Sequence, residues 1–274
     1  MRAPLRRLIR ATKHRRFIVH TRFATPGRYH MDPAWLHTRV HIYMQYTLRS
    51  LQRQAFPHFD ILLQCCEENR ELMQPYASML ADAGVTVIHS VADGQCYLES
   101  LRRHYKELAW ARIDSDDLYD RQAVAIMQDG LLRNDAVQCV RGFWWDVRRQ
   151  QVRRWVKASP PFYAIRRPLS EMETLRDVYT RSLHLWRGHG GHARFRKVYK
   201  PRILPPGLFL VMRHGTNLCG GHGYGGPFYQ PHSVLPRFGI RKAAWKARQL
   251  VVPDRELLDN NGTPLTTDNE EASE

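Results

Sequence analysis

The chain has 274 residues, 43% of them hydrophobic, and a formal net charge of +16. That is enough apolar material for one substantial α/β domain, or two small ones, with a real core. Its longest apolar runs, such as GLFLVM, fall far short of the roughly 18 residues a membrane-spanning helix needs, so no transmembrane helix is predicted.

The charge is uneven. Residues 253–274 carry seven acids against Arg255, which leaves about +22 on the preceding residues. An acidic, disordered tail is expected there. The basic body must attract anions, whether nucleic acid, an anionic membrane face or a phosphorylated small molecule.

The first sixteen residues hold seven Arg or Lys and no acid, and arginines interrupt every apolar stretch, so a secretory signal is not expected. Leu5, Leu8 and Ile9 share one face of a possible basic amphipathic helix. It reads either as a solvated, frayed terminus or as a weak attachment to anionic lipid on the inner membrane face. The five cysteines, Cys65, Cys66, Cys96, Cys139 and Cys219, form neither a disulfide framework nor a CxxC pattern, which favours a reducing cytoplasm.

From residue 17 the pattern alternates. FIVHTRF (17–23) reads as a strand, followed by the turn TPG. Leu36, Val40, Tyr43, Met44, Leu48 and Leu51 recur at helical spacing behind the N-cap Asp32 and Pro33. FDILLQC (59–65) is a second strand, and ELMQPYASMLADAG a second helix weakened by Pro75 and stopped by Gly84. VTVIHSV (85–91) is a third strand, YLESLRRHYKEL (97–108) a third helix, and LAWARI (108–113) a fourth strand.

This βαβαβαβ order predicts a mostly parallel sheet flanked by helices, with ligands bound beyond the carboxyl ends of its strands. RQAVAIMQDGLLRN then reads as a helix and 135–157 as a strand pair, with one more helix near 170–185. No internal repeat is evident.

At the end of the fourth strand stand Asp114, Asp116 and Asp117, separated only by Ser115. Two aspartates one residue apart can present oxygens to one hard divalent cation, Mg²⁺ or Mn²⁺, which would neutralise a departing diphosphate. Strand alternation puts Arg112 on the same face as Asp114. The alternative is a plain turn or helix N-cap, for which Ser and Asp are suited.

The run FIVHTRF, TLRSLQRQ, FDILLQCCEE, VTVIHSV, ESLRRHY and WARIDSDDLYD resembles the nucleotide-sugar-binding half of glycosyltransferases with the A-type (GT-A) fold. More narrowly, its RxDxDD segment is similar to that of bacterial proteins described as rhamnosyltransferases, over roughly residues 15–220. The resemblance implies a single GT-A-like domain over 16–252, with a nucleotide-sugar-binding half at 16–135 and an acceptor-side half at 136–252, between a basic extension (1–15) and the tail.

It further implies that Asp114 and Asp116 hold the metal on the donor diphosphate, with Asp117 contacting metal or sugar. Histidines near the end of such catalytic domains often complete the metal shell, and His214 is the best match, with Asn217 in the same turn able to orient a ligand. His214 capping a turn is the blander option.

An acceptor hydroxyl needs a general base in inverting transfer. Glu171, Glu173 and Asp177 are the candidates, although acids paired with Arg176 or Arg181 would look the same. His189, His192, Cys219 and His222 offer a zinc site as an alternative, but no pair has a standard spacing, and surface histidines of a Gly-rich loop are the plainer reading. Arg141, Arg148, Arg149, Arg153 and Arg154 interleave with Trp144, Trp145 and Trp155, a pattern that suits nucleic acid, a phosphorylated or lipid-linked glycan acceptor, or a solvated hairpin.

The expected function is therefore a metal-dependent glycosyltransferase moving a sugar, rhamnose among the options, from a nucleotide-diphosphate donor to a glycan, polysaccharide or lipid-linked acceptor. The alternatives are a basic nucleic-acid-binding or metal-dependent phosphodiester-cleaving protein, and a noncatalytic relative.

Overall fold

In the computed structural model of the chain, residues 3–23, 30–156, 162–175, 195–196, 198–214 and 227–240 are described. The first strand, β1 (Arg15–Arg22), lies between β2 (Phe59–Gln64) and β4 (Glu107–Asp114), parallel to both, and β3 (Val85–Ile88) extends the sheet beyond β2. On the other side of β4 come β9 (Tyr163–Pro168), β6 (Ala136–Gln138) and β10 (Arg202–Ile203). The resulting seven-stranded sheet runs β10-β6-β9-β4-β1-β2-β3, and β9 is antiparallel to both its neighbours.

Alternation along these strands fills a core on each face. Phe17, Val19, Ile61, Leu63, Ala109, Ala111 and Ile113 pack on one side. Ile18, Leu62, Leu108 and Trp110 pack on the other, against Leu98 and Leu101. A sheet buried on both faces is the setting in which parallel strands are stable, each large apolar side chain contributing about 1.5–3 kcal/mol.

The first core is covered by one long helical run: α2 (Pro33–Ile42), a π-helical segment Tyr43–Leu48, and α3 (Arg49–Gln52). Asp32 caps it as expected, its carboxylate accepting from the backbone N–H of Ala34 and Trp35. The next helix is broken into α4 (Arg70–Met73), a 3₁₀ turn Gln74–Tyr76 and α5 (Ala77–Asp82). The break falls on Pro75, which cannot continue the backbone ladder. Gly84 ends this run at φ +78°, a conformation that glycine adopts without a Cβ clash.

α6 (Val91–Arg102) covers the second core and begins six residues before the expected Tyr97. Ser90 and Asp93 form a reciprocal capping box, so His89 and Ser90, expected in the strand, lie outside it. α1 (Ala3–Ala11) is helical, and its apolar face is turned inward: Leu8 is buried, with Leu5 and Ile9 packed against the first core. α7 (Ala123–Gly130) packs beside it.

The expected strand pair at 135–157 is three strands in two sheets. β6 belongs to the large sheet, while β7 (Arg141–Asp146) and β8 (Gln151–Val156) form an antiparallel hairpin in a second one. That sheet runs β12-β8-β7-β11-β5, with β5 (Leu118–Tyr119), β11 (Phe209–Arg213) and β12 (Phe228–Tyr229). Gly142 permits a close approach of β7 to β11, because a Cβ there would meet the Phe209 carbonyl oxygen at 2.6 Å. Near 170–185 the described part holds only a 3₁₀ turn, Leu169–Glu171; the remainder of that expected helix and the tail lie outside the described residues. No helix among the described residues is long and apolar enough to cross a membrane.

Candidate functional site

The chain passes from the seven-stranded sheet to the second sheet between Asp114, the last residue of β4, and Leu118, the first of β5. The carboxylates occupy this hand-off. It lies at the carboxyl end of β4 beside β1, where Arg22 and Asp114 are opposite each other in register. From β1 the chain proceeds outward to β2 and β3 and then returns to β4, so this edge is a topological switch point, the usual place for a ligand crevice in such sheets.

The three aspartates have different environments. Asp114 is the most exposed, with 37% of its side chain accessible, and pairs with Arg112 Nη2 at 2.9 Å, as their shared strand face implies. Asp116 is buried. Its Oδ2 accepts from Arg39 Nη1 at 2.9 Å and lies 3.0 Å from His214 Nε2. Arg39 Nη2 also donates to Ser115 Oγ.

His214 Nε2 is also 3.2 Å from Arg39 Nη1. One ring nitrogen cannot donate and accept at once, and a guanidinium only donates. The carboxylate charge therefore favours an Nε2–H directed at Asp116. Burial alone would raise the Asp116 pKa, but the charge of Arg39 and the contact with His214 outweigh it and hold the carboxyl well below its ordinary range.

Asp117 turns the other way. It accepts from the Met212 backbone N–H at 3.3 Å and is buried. Burial, then the charges of Asp116 and Asp114, push its pKa well above the ordinary value.

The helical run over the first core fixes this loop. Arg39 grips Ser115 and Asp116, Thr47 Oγ1 donates to the Ser115 carbonyl at 3.0 Å, and Ser50 Oγ accepts from the Tyr119 N–H at 3.2 Å. Gln54 Nε2 reaches the Asp120 carbonyl at 2.9 Å, and its Oε1 accepts from Val124 N–H at 3.0 Å. The π-helical segment sits within this series and sets the rotation of the later residues relative to the earlier ones. Sequence reasoning missed Arg39 and Thr47, because both read as ordinary polar positions of an amphipathic helix.

The expected metal ligands are thus only partly brought together. Asp116 and His214 meet, but on one oxygen that Arg39 already engages, while Asp114 is held by Arg112. Mg²⁺ is commonly held by one or two carboxylates and completed by phosphate oxygens and water, yet both candidate carboxylates here already carry a guanidinium partner, Arg39 on Asp116 and Arg112 on Asp114. In this arrangement the donor set does not fit a divalent ion.

Beside Arg22 opens a cleft of about 690 Å³ at the carboxyl ends of β1, β2 and β3, bounded by the start of α6. Arg22, Gln64, Glu67, Arg70, Ser90 and Trp110 are among its walls. His20 forms part of the lining, 4.5 Å from the Trp110 ring centroid and 3.0 Å from Gln64 Oε1. Burial, reinforced by the Arg112 charge, lowers the His20 pKa well below its usual value, so the ring is neutral. The order of strands pointed to this edge in advance, and the Ser90-x-x-Asp93 capping signature to the wall that α6 supplies.

The other candidates divide. Glu171 is exposed and 3.9 Å from Arg167 Nη1, and Glu173 is exposed next to Thr174 and Leu175 of the cleft wall. Asp177, Asn217, His189, His192, Cys219 and His222 lie outside the described residues. Trp144, Trp145 and Trp155 are buried rather than presented as stacking platforms, because strand alternation turns them into the cores on either side of the second sheet. Arg148 and Arg149 remain exposed in the turn of the hairpin.

Fold and site together define an α/β protein with an open, mixed sheet and a charged crevice at its switch point. No family model matches the chain, and no curated protein matches it. Among solved structures, it is similar to the crystal structure of S. aureus TarS 1-349 in complex with UDP, at 13% identity and a TM-score of 0.42, over 72% of this chain and 60% of that one. The same TarS fragment in complex with UDP-GlcNAc aligns at 11% identity and a TM-score of 0.42, over 81% and 64%. The glycosyltransferase GlyE of Streptococcus pneumoniae TIGR4 aligns at 12% identity and a TM-score of 0.38, over 85% and 62%. The chain thus spans about 60% of the length of these structures.

Proposed function

We propose that the protein is a glycosyltransferase that takes its sugar from a nucleoside-diphosphate donor bound in the switch-point cleft. The observation that carries the reading is the position of that cleft: it lies beyond the carboxyl ends of β1, β2 and β3 and adjoins Asp114 through Arg22. The base and ribose would lie over Gln64 and the start of α6, and the diphosphate toward Arg22. Attack of an acceptor hydroxyl on the anomeric carbon breaks its bond to the diphosphate oxygen, so the developing charge falls near fixed guanidiniums. Asp114, the most accessible of the three carboxylates, would then be the one open to the donor sugar.

Rhamnose as the sugar and a glycan or lipid-linked acceptor belong to the same proposal, supported by the RIDSDD resemblance and by the strongly basic body of the chain. Nucleic-acid binding is the weaker reading, since the hairpin tryptophans needed for stacking are buried.

Calorimetric titration with a panel of nucleoside diphosphates and their sugars tests the proposal. A base-selective heat, lost in the variant Arg22→Ala, is expected. Failure of every nucleotide to bind, alongside salt-sensitive binding of DNA or RNA, would overturn it.

A further inference from the structure

We propose that the carboxylate cluster works without a divalent metal, the Arg39 guanidinium holding the place and charge that such a cation would supply. Arg39 comes from α2, 77 residues away from Asp116, and both are buried. Its fork spans two loop residues, Nη1 on Asp116 Oδ2 and Nη2 on Ser115 Oγ. A planar, permanently charged fork suits a buried carboxylate, and a guanidinium is more weakly hydrated than a compact cation.

The arrangement leaves a metal little room. Asp116 Oδ2 has donors at 2.9 and 3.0 Å, from Arg39 and His214, so a Mg²⁺ at about 2.0–2.1 Å from that oxygen must displace one of them. Displacing Arg39 would leave a second positive charge beside the ion in a buried site, which is costly. The helical run carrying Arg39 is itself tied to this loop, Thr47 Oγ1 donating to the Ser115 carbonyl, which keeps the root of the Arg39 side chain beside Asp116. Asp114, the remaining expected ligand, has its own guanidinium partner in Arg112. The cluster is therefore compensated by arginines the chain brings itself.

Under the glycosyltransferase reading, on which this second consequence rests, the donor diphosphate is met by the Arg22 guanidinium at the cleft, and its binding does not require Mn²⁺.

Uptake of Mn²⁺ alone, followed by the loss of the free-ion electron paramagnetic resonance signal, tests the metal claim independently of any donor. The 274-residue chain is expected to leave equimolar Mn²⁺ free, as is Arg39→Lys. Arg39→Gln, which uncovers Asp116, is expected to bind one ion at least about tenfold more tightly. Stoichiometric uptake by the wild type overturns the proposal, and so does a folded Arg39→Gln that takes up none.

Should Arg39→Gln not fold, calorimetry of the wild type with UDP and GDP in EDTA against Mn²⁺ decides. Affinities within about threefold support the proposal, and binding that appears only with Mn²⁺ overturns it. Should neither nucleotide bind, the wild-type Mn²⁺ result decides the metal claim, and the missing nucleotide binding counts against the function.

Discussion

His214 Nε2 lies 3.0 Å from Asp116 Oδ2, joining residues 98 positions apart in the sequence. The contact ties the end of β11 to the loop between the two sheets, and Arg39 closes the group from α2. Three distant segments thereby converge on one carboxylate oxygen.

Breaking that group should be expensive. Asp116→Ala leaves Arg39 buried without its carboxylate, and removing one partner of a buried ion pair costs about 3–5 kcal/mol. Urea denaturation is expected to show a loss of that order, part of it recovered in Asp116→Ala/Arg39→Met. Equal stability of wild type and Asp116→Ala would remove the pair from any structural role.

The brace from the helix to the loop makes a narrower prediction. Thr47→Val keeps the shape but removes the hydroxyl that serves the buried Ser115 carbonyl. Leaving such a group unsatisfied costs about 1–3 kcal/mol. The melting temperature should fall, and nucleoside-diphosphate affinity should fall with it if the loop's position matters for the cleft. An unchanged melting temperature would contradict the brace.

Gly142→Ala addresses the join within the second sheet. The added methyl would stand 2.5 Å from the Phe209 ring and 2.6 Å from its carbonyl oxygen, and backbone cannot yield as a flexible side chain can. Overpacking of this kind costs about 1–3 kcal/mol or more. A variant as stable as the wild type by denaturant titration would show that β7 and β11 can separate freely.

The cap of α6 carries a pH signature. Burial raises the Asp93 pKa, but the N–H groups of His89 and Ser90 and the Arg70 charge prevail, so it is lower folded than unfolded. Asp93 therefore contributes stability above the ordinary aspartate pKa of about 3.9, and that contribution is lost as pH falls through the lower folded value. Asp93→Asn should be less stable at neutral pH, the gap to wild type closing under acid. A gap that widens on acidification would reverse the assignment. Ser90→Ala, which removes the partner cap, should cost about 1 kcal/mol at neutral pH.

Much of this protein was legible in its sequence, because periodicity and turn chemistry report local physics. The alternation of LAWARI set Trp110 and Arg112 on one face and Ala109, Ala111 and Ile113 on the other, and the two cores divide in that way. Asp32 and Gly84 marked a helix start and stop through hydrogen-bonding and steric rules that operate within a few residues. Asp114 at the end of β4, on the edge where sheets of this kind bind ligands, followed from the order of elements.

Tertiary structure alone decided what those elements meet. The antiparallel β9 carries no pattern that distinguishes insertion beside β4 from pairing elsewhere, since a strand's partner is chosen by the sheet edge it finds. Asp116 reads as a metal ligand when only its neighbours are considered. Its actual surroundings, the Arg39 guanidinium and the His214 ring, are delivered by a helix and a second sheet whose packing no local pattern encodes. Sequence determined that negative charge would gather at this strand end; long-range packing determined which positive charges would compensate it.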